Sequence, residues 1–340
     1  MRALELRDYA AQPQSLVLVD RPVPRPGRGQ VLIRVAAAPI NPSDLMFVRG
    51  LYGFKKELPA IPGFEGSGTV VAAGPGLMPR ILLRRRVACA AADARNRFGT
   101  WAEYAVTSAE TVVPLSRSVD LERAAMMLVN PLSAWALVDI ARRGRHRALI
   151  QTAAASALGK MVLRLGRRFS LPVINVVRRV EQADALRAIG AEHVAVSTDV
   201  HFDRELTLLA RRLGATLALE AVSGDLTRRV LDAMPRGAQV LVYGALSLEA
   251  AQVNPAALIF EGKHVAGFWL TDWLRAMNLW ERFRVARQVQ GMLAGDLQSR
   301  VQARVPLEAG AEALDRYARN MSAGKVLFVP SIGMESESRK

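Results

Sequence analysis

At 340 residues the chain exceeds what one hydrophobic core ordinarily supports, so two domains are expected. Its 51% hydrophobic and 23% charged content excludes an intrinsically disordered polymer. The single cysteine, Cys89, excludes an internal disulfide and a cysteine-rich zinc site. The histidines His146, His193, His201 and His264 are scattered without HxxxH or HExxH spacing, so no metal site is expected.

The net charge of +15 raises the question of a nucleic-acid surface. Arginines run along the whole chain, as at Arg84–Arg86, Arg142–Arg147 and Arg211–Arg212, with no aromatic-interleaved basic segment. That spread argues against nucleic acid as a partner and for a soluble surface that attracts anionic ligands. No stretch approaches the roughly 20 apolar residues needed to cross a bilayer, and Met1–Leu6 reads as a strand rather than a leader. A cytoplasmic protein with no membrane partner is the expectation.

The first third reads as β-rich. Apolar runs at 15–19 and 30–36 are separated by Pro22, Pro24, Pro26, Gly27 and Gly29. The glycine-dense Gly63-Phe64-Glu65-Gly66-Ser67-Gly68 leads into 69–73, and a compact antiparallel barrel or sandwich is the simplest home for these elements.

From 148 the rhythm changes. A short strand at 148–151 precedes a helix whose Leu158, Met161, Val162, Leu165 and Phe169 form one apolar stripe. Strands at 172–177, 193–196, 216–220 and 239–243 alternate with helices through Leu186, at 202–213 and at 226–234. Such alternation predicts a doubly wound parallel sheet. An aromatic-rich segment at 268–274, an amphipathic helix at 279–293 and a last strand at 325–329 follow. A late strand returning to the first domain would make the parallel-sheet domain an insertion. The expected boundaries are 1–122 with 270–340 for the β-rich domain, and 123–269 for the parallel-sheet domain.

Gln151-Thr152-Ala153-Ala154-Ala155-Ser156-Ala157-Leu158-Gly159 stands where a dinucleotide fold turns from strand into helix and offers backbone N–H groups to a pyrophosphate. It is not GxGxxG; only Gly159 remains, at the position where a small residue lets helix pack on strand. After the next strand, Arg178-Arg179 replaces the acid that would bind a ribose 2′-hydroxyl. A guanidinium there pairs with a 2′-phosphate, which favours NADPH. The competing reading has two solvated arginines with Glu181 as the ribose acid.

Several segments then form a series: Ala38-Pro39-Ile40-Asn41-Pro42-Ser43-Asp44, Gly50-Leu51-Tyr52-Gly53, Leu58-Pro59-Ala60-Ile61-Pro62-Gly63-Phe64-Glu65-Gly66, Gly99-Thr100-Trp101-Ala102-Glu103-Tyr104, Val129-Asn130-Pro131, Tyr243-Gly244-Ala245-Leu246, Gly267-Phe268-Trp269-Leu270 and Gly324-Lys325-Val326. In this order they closely resemble the medium-chain dehydrogenase/reductase superfamily, in the zinc-independent branch of quinone oxidoreductases and 2-enoyl thioester reductases. The resemblance covers nearly the whole chain. It implies a GroES-like β-rich catalytic domain with a Rossmann-type domain, an α/β fold overall, and a homodimer joined through nucleotide-domain sheet edges.

The resemblance also implies roles. Tyr52 becomes the proton donor or polariser for a small-molecule substrate. Asn41 lies close to the active cleft and Asn130 near the nicotinamide ribose. Ala155, Ser156, Ala157 and Leu158 form the pyrophosphate turn, and Arg178 with Arg179 the 2′-phosphate site. Tyr243, Gly244, Ala245 and Leu246, with Phe268, Trp269 and Leu270, line the nicotinamide, and Lys325 is a late cofactor contact. Two departures stand out: alanines replace glycines in the phosphate turn, and Leu77-Met78-Pro79-Arg80-Ile81-Leu82-Leu83-Arg84-Arg85-Arg86 replaces a polar turn.

The leading expectation is therefore NADPH-dependent reduction of an activated C=C bond, with a 2-enoyl thioester as substrate. Quinone reduction is the alternative, and a non-catalytic NADPH- or RNA-binding protein a further one. Arg49, Lys55 and Lys56 beside Tyr52 read either as an attractor for an acidic carrier or CoA phosphate, or as a solvated loop face.

Overall fold

A computed structural model describes residues 1–9 and 15–330. The chain divides into two compact units, one of Met1–Pro131 with 283–340 and one of Leu132–Arg282. Both unit boundaries fall later in the chain than the expected 122/123 and 269/270, each inside a helix, Asn130–Arg143 and Leu279–Met292.

Among the described residues, seven strands come first: β1 (Arg2–Leu6), β2 (Leu16–Asp20), β3 (Gln30–Pro39), β4 (Glu65–Ala73), β5 (Arg86–Ala90), β6 (Tyr104–Ser108) and β7 (Val112–Pro114). The second unit holds β8 (Ala148–Gln151), β9 (Val173–Val177), β10 (His193–Val196), β11 (Ala215–Glu220), β12 (Gln239–Val242) and β13 (His264–Gly267). Two strands close the chain, β14 (Val301–Val305) and β15 (Lys325–Phe328).

In the first unit β1 and β2 form an antiparallel pair, and the larger sheet runs β14-β15-β3-β4-β5-β7 with β6 also on β3. β15 pairs antiparallel with β3, Leu327 opposite Pro39 and Phe328 opposite Ala38. The glycine-dense stretch is itself strand, since Glu65–Gly68 already pairs with β5 and β3. Leu4, Ile40, Phe47, Phe64, Trp101 and Phe328 share one core, with the Trp101 and Phe328 rings 5.2 Å apart edge to face. Truncating a fully buried aromatic of this kind costs about 3–5 kcal/mol, and this core packs residues of the early strand β1 and the late strand β15 together.

The six strands of the second unit are all parallel, in the order β10-β9-β8-β11-β12-β13. Counted within the unit this is 3-2-1-4-5-6, the doubly wound dinucleotide topology. Strands β8 and β9 are buried throughout, as a sheet covered on both faces requires. The helix Ala157–Arg168 buries Leu158, Met161, Val162 and Leu165, the expected stripe. Phe169 lies one residue past that helix; its ring packs on Trp135 at 5.8 Å, under the Arg142 guanidinium at 4.0 Å.

Candidate functional site

In the first unit a polar cluster is sealed inside the apolar core. Asn41 lies two residues past β3 and precedes the helix Pro42–Val48, where Pro42 suits the first helical position and Asp44 Oδ2 accepts from the Asn41 N–H at 2.8 Å. Asp44 Oδ1 accepts from the Phe64 N–H at 3.0 Å, which fixes the start of β4. The Asn41 side chain donates to Glu65 Oε1 at 3.0 Å and accepts from the Lys325 ammonium, which also reaches the Ile40 carbonyl at 3.4 Å. Glu65 Oε2 accepts the Leu128 and Val129 N–H groups at 2.7 and 2.9 Å.

Asn41, Asp44, Glu65 and Lys325 are all within 1% of full burial. Burial raises the Asp44 carboxyl to about 6 against the pull of the Asn41 and Phe64 N–H groups and of Lys325. Burial likewise raises Glu65 and lowers Lys325, and each charge opposes that shift in the other. Three N–H donors on the Glu65 carboxylate favour its ionised form. Lys325, expected as a cofactor contact, thus has its ammonium committed to Asn41.

Tyr52 stands in an aromatic cage at the edge of this core. Its ring lies 5.1 Å from Phe54 and 4.7 Å from Phe64, and Phe64 in turn contacts Phe47 at 5.4 Å. The three basic residues near it differ in placement. Lys55 is exposed over the Tyr9 ring at 5.3 Å, and Arg49 caps the Pro42–Val48 helix. Lys56 departs from both readings of the basic loop: it is 3% exposed and donates to the Ala91 carbonyl at 3.1 Å. Burial lowers its ammonium to about 8, against Asp93 and Asp44. Tyr9 holds the Lys56 backbone, its hydroxyl bonding both the carbonyl (2.8 Å) and the N–H (2.6 Å).

In the second unit the expected residues gather along the carboxyl edge of the parallel sheet, where open α/β sheets bind ligands. The strand order reverses between β8 and β11, and a buried network spans that point. Thr152 Oγ1 donates to Glu220 Oε1 at 3.0 Å and accepts from the Ala221 N–H at 2.8 Å. Glu220 also accepts from the Val222 and Ser223 N–H groups, both at 2.8 Å. Neither Thr152 nor Glu220 was singled out by the sequence, because an isolated Thr or Glu at a strand end carries no motif.

The turn after β8 enters the helix through Ser156, whose Oγ accepts from the Gly159 N–H at 3.0 Å. Ser156 therefore acts as helix cap, and the Ala157 and Leu158 N–H groups, in the first turn, have no intrahelical acceptor. Ala153 adopts φ 47°, a left-handed conformation normally left to glycine, so alanine keeps the tight turn at a cost of about 1 kcal/mol. Gly159 has no such latitude: a Cβ there would lie 2.4 Å from the Ala154 carbonyl oxygen. The turn is tied to the end of β9 by the Ala154 N–H on the Val176 carbonyl at 3.2 Å.

Immediately beyond β9, Arg178 and Arg179 are exposed, their N–H groups both held by Gln182 Oε1 at 3.2 Å. Among the described residues neither guanidinium pairs with a carboxylate. Glu181 is exposed two residues further, on the helix Val180–Arg187. Tyr243–Leu246 lies against the segment after β11, through the Tyr243 N–H on Glu220 O (2.8 Å) and the Leu246 N–H on Ala221 O (3.0 Å). Phe268 and Trp269 line a depression of about 400 Å³ with Val242, Gly267, Asp272 and Trp273, and Leu270 begins the helix Leu270–Arg275. Asn130, 8% exposed, begins the helix Asn130–Arg143.

The first-turn N–H groups, the capped helix of twelve residues and the unpaired arginines at the next strand end fit a dinucleotide with a 2′-phosphate. Among the described residues no three of His, Cys, Asp and Glu gather as metal ligands. No helix among them is long and apolar enough to cross a membrane.

Comparison with known proteins bears on this arrangement. Residues 27–117 match the family profile described as alcohol dehydrogenase GroES-like domain, and residues 157–285 the one described as zinc-binding dehydrogenase. A solved structure from Mesorhizobium loti, a candidate NADPH:quinone reductase, is 35% identical with a TM-score of 0.90 and covers 97% of this chain and 98% of that one. The mitochondrial enoyl-[acyl-carrier-protein] reductase of Xenopus tropicalis is 29% identical over 96% of this chain and 93% of its own length. The human protein of the same name is 32% identical over 72% of this chain, a match spanning 65% of that protein. The chain belongs to the medium-chain dehydrogenase/reductase superfamily of oxidoreductases, with a GroES-like and a Rossmann-like portion.

Proposed function

We propose that the protein is a zinc-independent, NADPH-dependent reductase of activated C=C bonds, with 2-enoyl thioesters as substrates. The observation that carries this reading is the half-buried Tyr52, whose ring is held between Phe54 and Phe64 at the edge of the core. The enoyl reductase names of its relatives support it.

Ala157 and Leu158 would hold the pyrophosphate, with Ala155 and Ser156 shaping the turn and Arg178 and Arg179 holding the 2′-phosphate. Asn130, Tyr243, Gly244, Ala245, Leu246, Phe268, Trp269 and Leu270 would line the nicotinamide side. When bound, NADPH supplies the hydride that an electron-poor β-carbon accepts. Tyr52 would hydrogen-bond the thioester carbonyl oxygen as negative charge builds there, or deliver its proton to the α-carbon and recover one from water. Asn41 and Lys325 would act from beneath, by fixing the start of the Pro42–Val48 helix ahead of the Tyr52 loop.

The zinc-independent reading rests on residue chemistry. The only cysteine is buried and burial, with the Glu65 charge, pushes its thiol up to about 12, far from a thiolate ligand. Dialysis against a chelator is expected to leave turnover unchanged. We further read the protein as cytoplasmic and homodimeric, joined through the β13 edge. The helix Pro255–Glu261 preceding that edge strand exposes Ile259 at 70% and Phe260 at 69%; light scattering would report the mass.

Steady-state NADPH oxidation with crotonyl-CoA and longer 2-enoyl-CoA esters tests the function. No turnover in the presence of intact NADPH binding sinks it. Quinone reduction is the second reading, favoured by the name carried by the Mesorhizobium loti structure. A kcat/KM for naphthoquinones above that for enoyl thioesters would select it.

A further inference from the structure

The departure at 77–86 forms a feature that the reductase reading leaves unused. The helix Leu77–Leu82 fills the connection between β4 and β5. Its inward side is explained, because Pro79 and Leu82 are buried and Leu82 joins Val31, Ile33, Val70 and Val87 in a core. The opposite side is also apolar: Leu77 is 77%, Ile81 56% and Met78 47% exposed, followed by Leu83 at 42%. A surface helix normally turns polar residues outward, so this one is apolar on a face where folding of the unit needs nothing apolar.

The charge around that face is one-sided. Arg80, Arg84 and Arg85 are exposed on the same connection. The turn 74–76 rests on the loop 26–29, with Gly29 N–H on the Pro75 carbonyl at 2.9 Å, and a Cβ on Gly74 would stand 1.8 Å from the Gly27 carbonyl oxygen. That contact brings exposed Arg25 and Arg28 alongside. Among the described residues none of these five arginines has a carboxylate partner, and Glu110, on the adjoining turn Ala109–Thr111, is the neighbouring acid. No acidic residue occurs between Asp20 and Asp44 or between Glu65 and Asp93.

We propose that this hairpin docks the protein on the surface of an anionic lipid bilayer. Leu77, Met78, Ile81 and Leu83 would enter the headgroup–acyl boundary, and Arg25, Arg28, Arg80, Arg84 and Arg85 would meet lipid phosphates. Protruding apolar side chains suit a partner that deforms around them, and exposed arginines without carboxylate partners at the rim of the same patch complement anions; an anionic membrane interface offers both. Such peripheral contact involves no spanning segment. It departs from the expectation of no membrane partner, which considered only segments long enough to cross a bilayer.

Co-sedimentation of the full chain with vesicles tests the proposal. Vesicles with 30% phosphatidylglycerol are expected to bind it at low salt, pure phosphatidylcholine vesicles about tenfold less, and added salt should release it. The double variant Leu77→Ser/Ile81→Ser should lose binding about tenfold while keeping its thermal midpoint and its NADPH oxidation rate. Arg84→Glu/Arg85→Glu, which leaves the apolar face intact, should lose it as well. Failure to bind anionic vesicles overturns the proposal. So does unchanged binding by both variants, or a drop in oligomer mass caused by the serine variant, which would assign the face to a second copy of the chain.

Discussion

The Lys325 ammonium is hydrogen-bonded to Asn41 Oδ1, and the amide nitrogen of Asn41 is hydrogen-bonded to Glu65 at 3.0 Å, so one neutral amide stands between two buried opposite charges. Removing one charge strands the other in the core. Lys325→Met is expected to lower the unfolding free energy by about 3 kcal/mol or more. The double variant Lys325→Met/Glu65→Gln should cost less than the sum of the two single changes, by about 1 kcal/mol or more. Urea titrations of the four proteins check this, and strict additivity would refute the coupling.

Lys56 carries a pH signature. Its folded-state ammonium is lowered to about 8 from 10.5, so the unfolded chain binds its proton more tightly than the folded one between those values. Stability linked to Lys56 is therefore complete above about 10.5 and is lost as pH falls through 8. The stability of the wild type relative to Lys56→Met is expected to rise from pH 8 to 10, by about 1–3 kcal/mol. Chemical denaturation across that range gives the comparison, and a flat difference would mean the ammonium is solvated.

Replacing Tyr52 by Phe keeps the ring contacts with Phe54 and Phe64 and removes only the hydroxyl. On the proposed role, kcat should fall about 100-fold while NADPH affinity changes less than about twofold. Unchanged turnover would remove Tyr52 from the chemistry.

At the end of β9, Arg178→Ala should weaken NADPH binding about tenfold or more and NADH binding little. Fluorescence titration with both nucleotides measures the ratio. Equal losses would shift the assignment to Glu181 and the ribose hydroxyl.

Much of the second unit was legible because its signals are local. The stripe from Leu158 to Leu165 records a helix face, and alternation of short strands with helices records a parallel sheet. Gly159 reads from the sequence as the glycine that lets helix pack on strand, whereas the close approach is to the turn, 2.4 Å from the Ala154 carbonyl oxygen. The helix Leu77–Leu82 was not legible, because a run apolar on both faces has no period to read. The buried cluster was hidden differently. Asn41 and Lys325 meet across 284 positions, and no pattern within a short window encodes such a pair. Lys56 next to exposed Lys55 reads equally as a solvated loop; its burial depends on contacts distant in sequence, with Tyr9 on its backbone and Ala91 on its ammonium. Asp44 has a readable signal in Asn41-Pro42-Ser43-Asp44, the spacing of a helix-start box.

The pairing of β15 with β3 sets a clock on biosynthesis. Roughly 285 residues separate the end of β3 from β15, and at ribosomal speeds of about 5–20 residues per second that is about 15–60 s of waiting. During that interval the β3 edge near Pro39 has no strand to receive it, while the contiguous unit from Leu132 to Arg282 emerges whole. The nascent chain therefore completes its second unit before its first and carries an open sheet edge meanwhile, the period in which it is most exposed to strand-pairing with other chains.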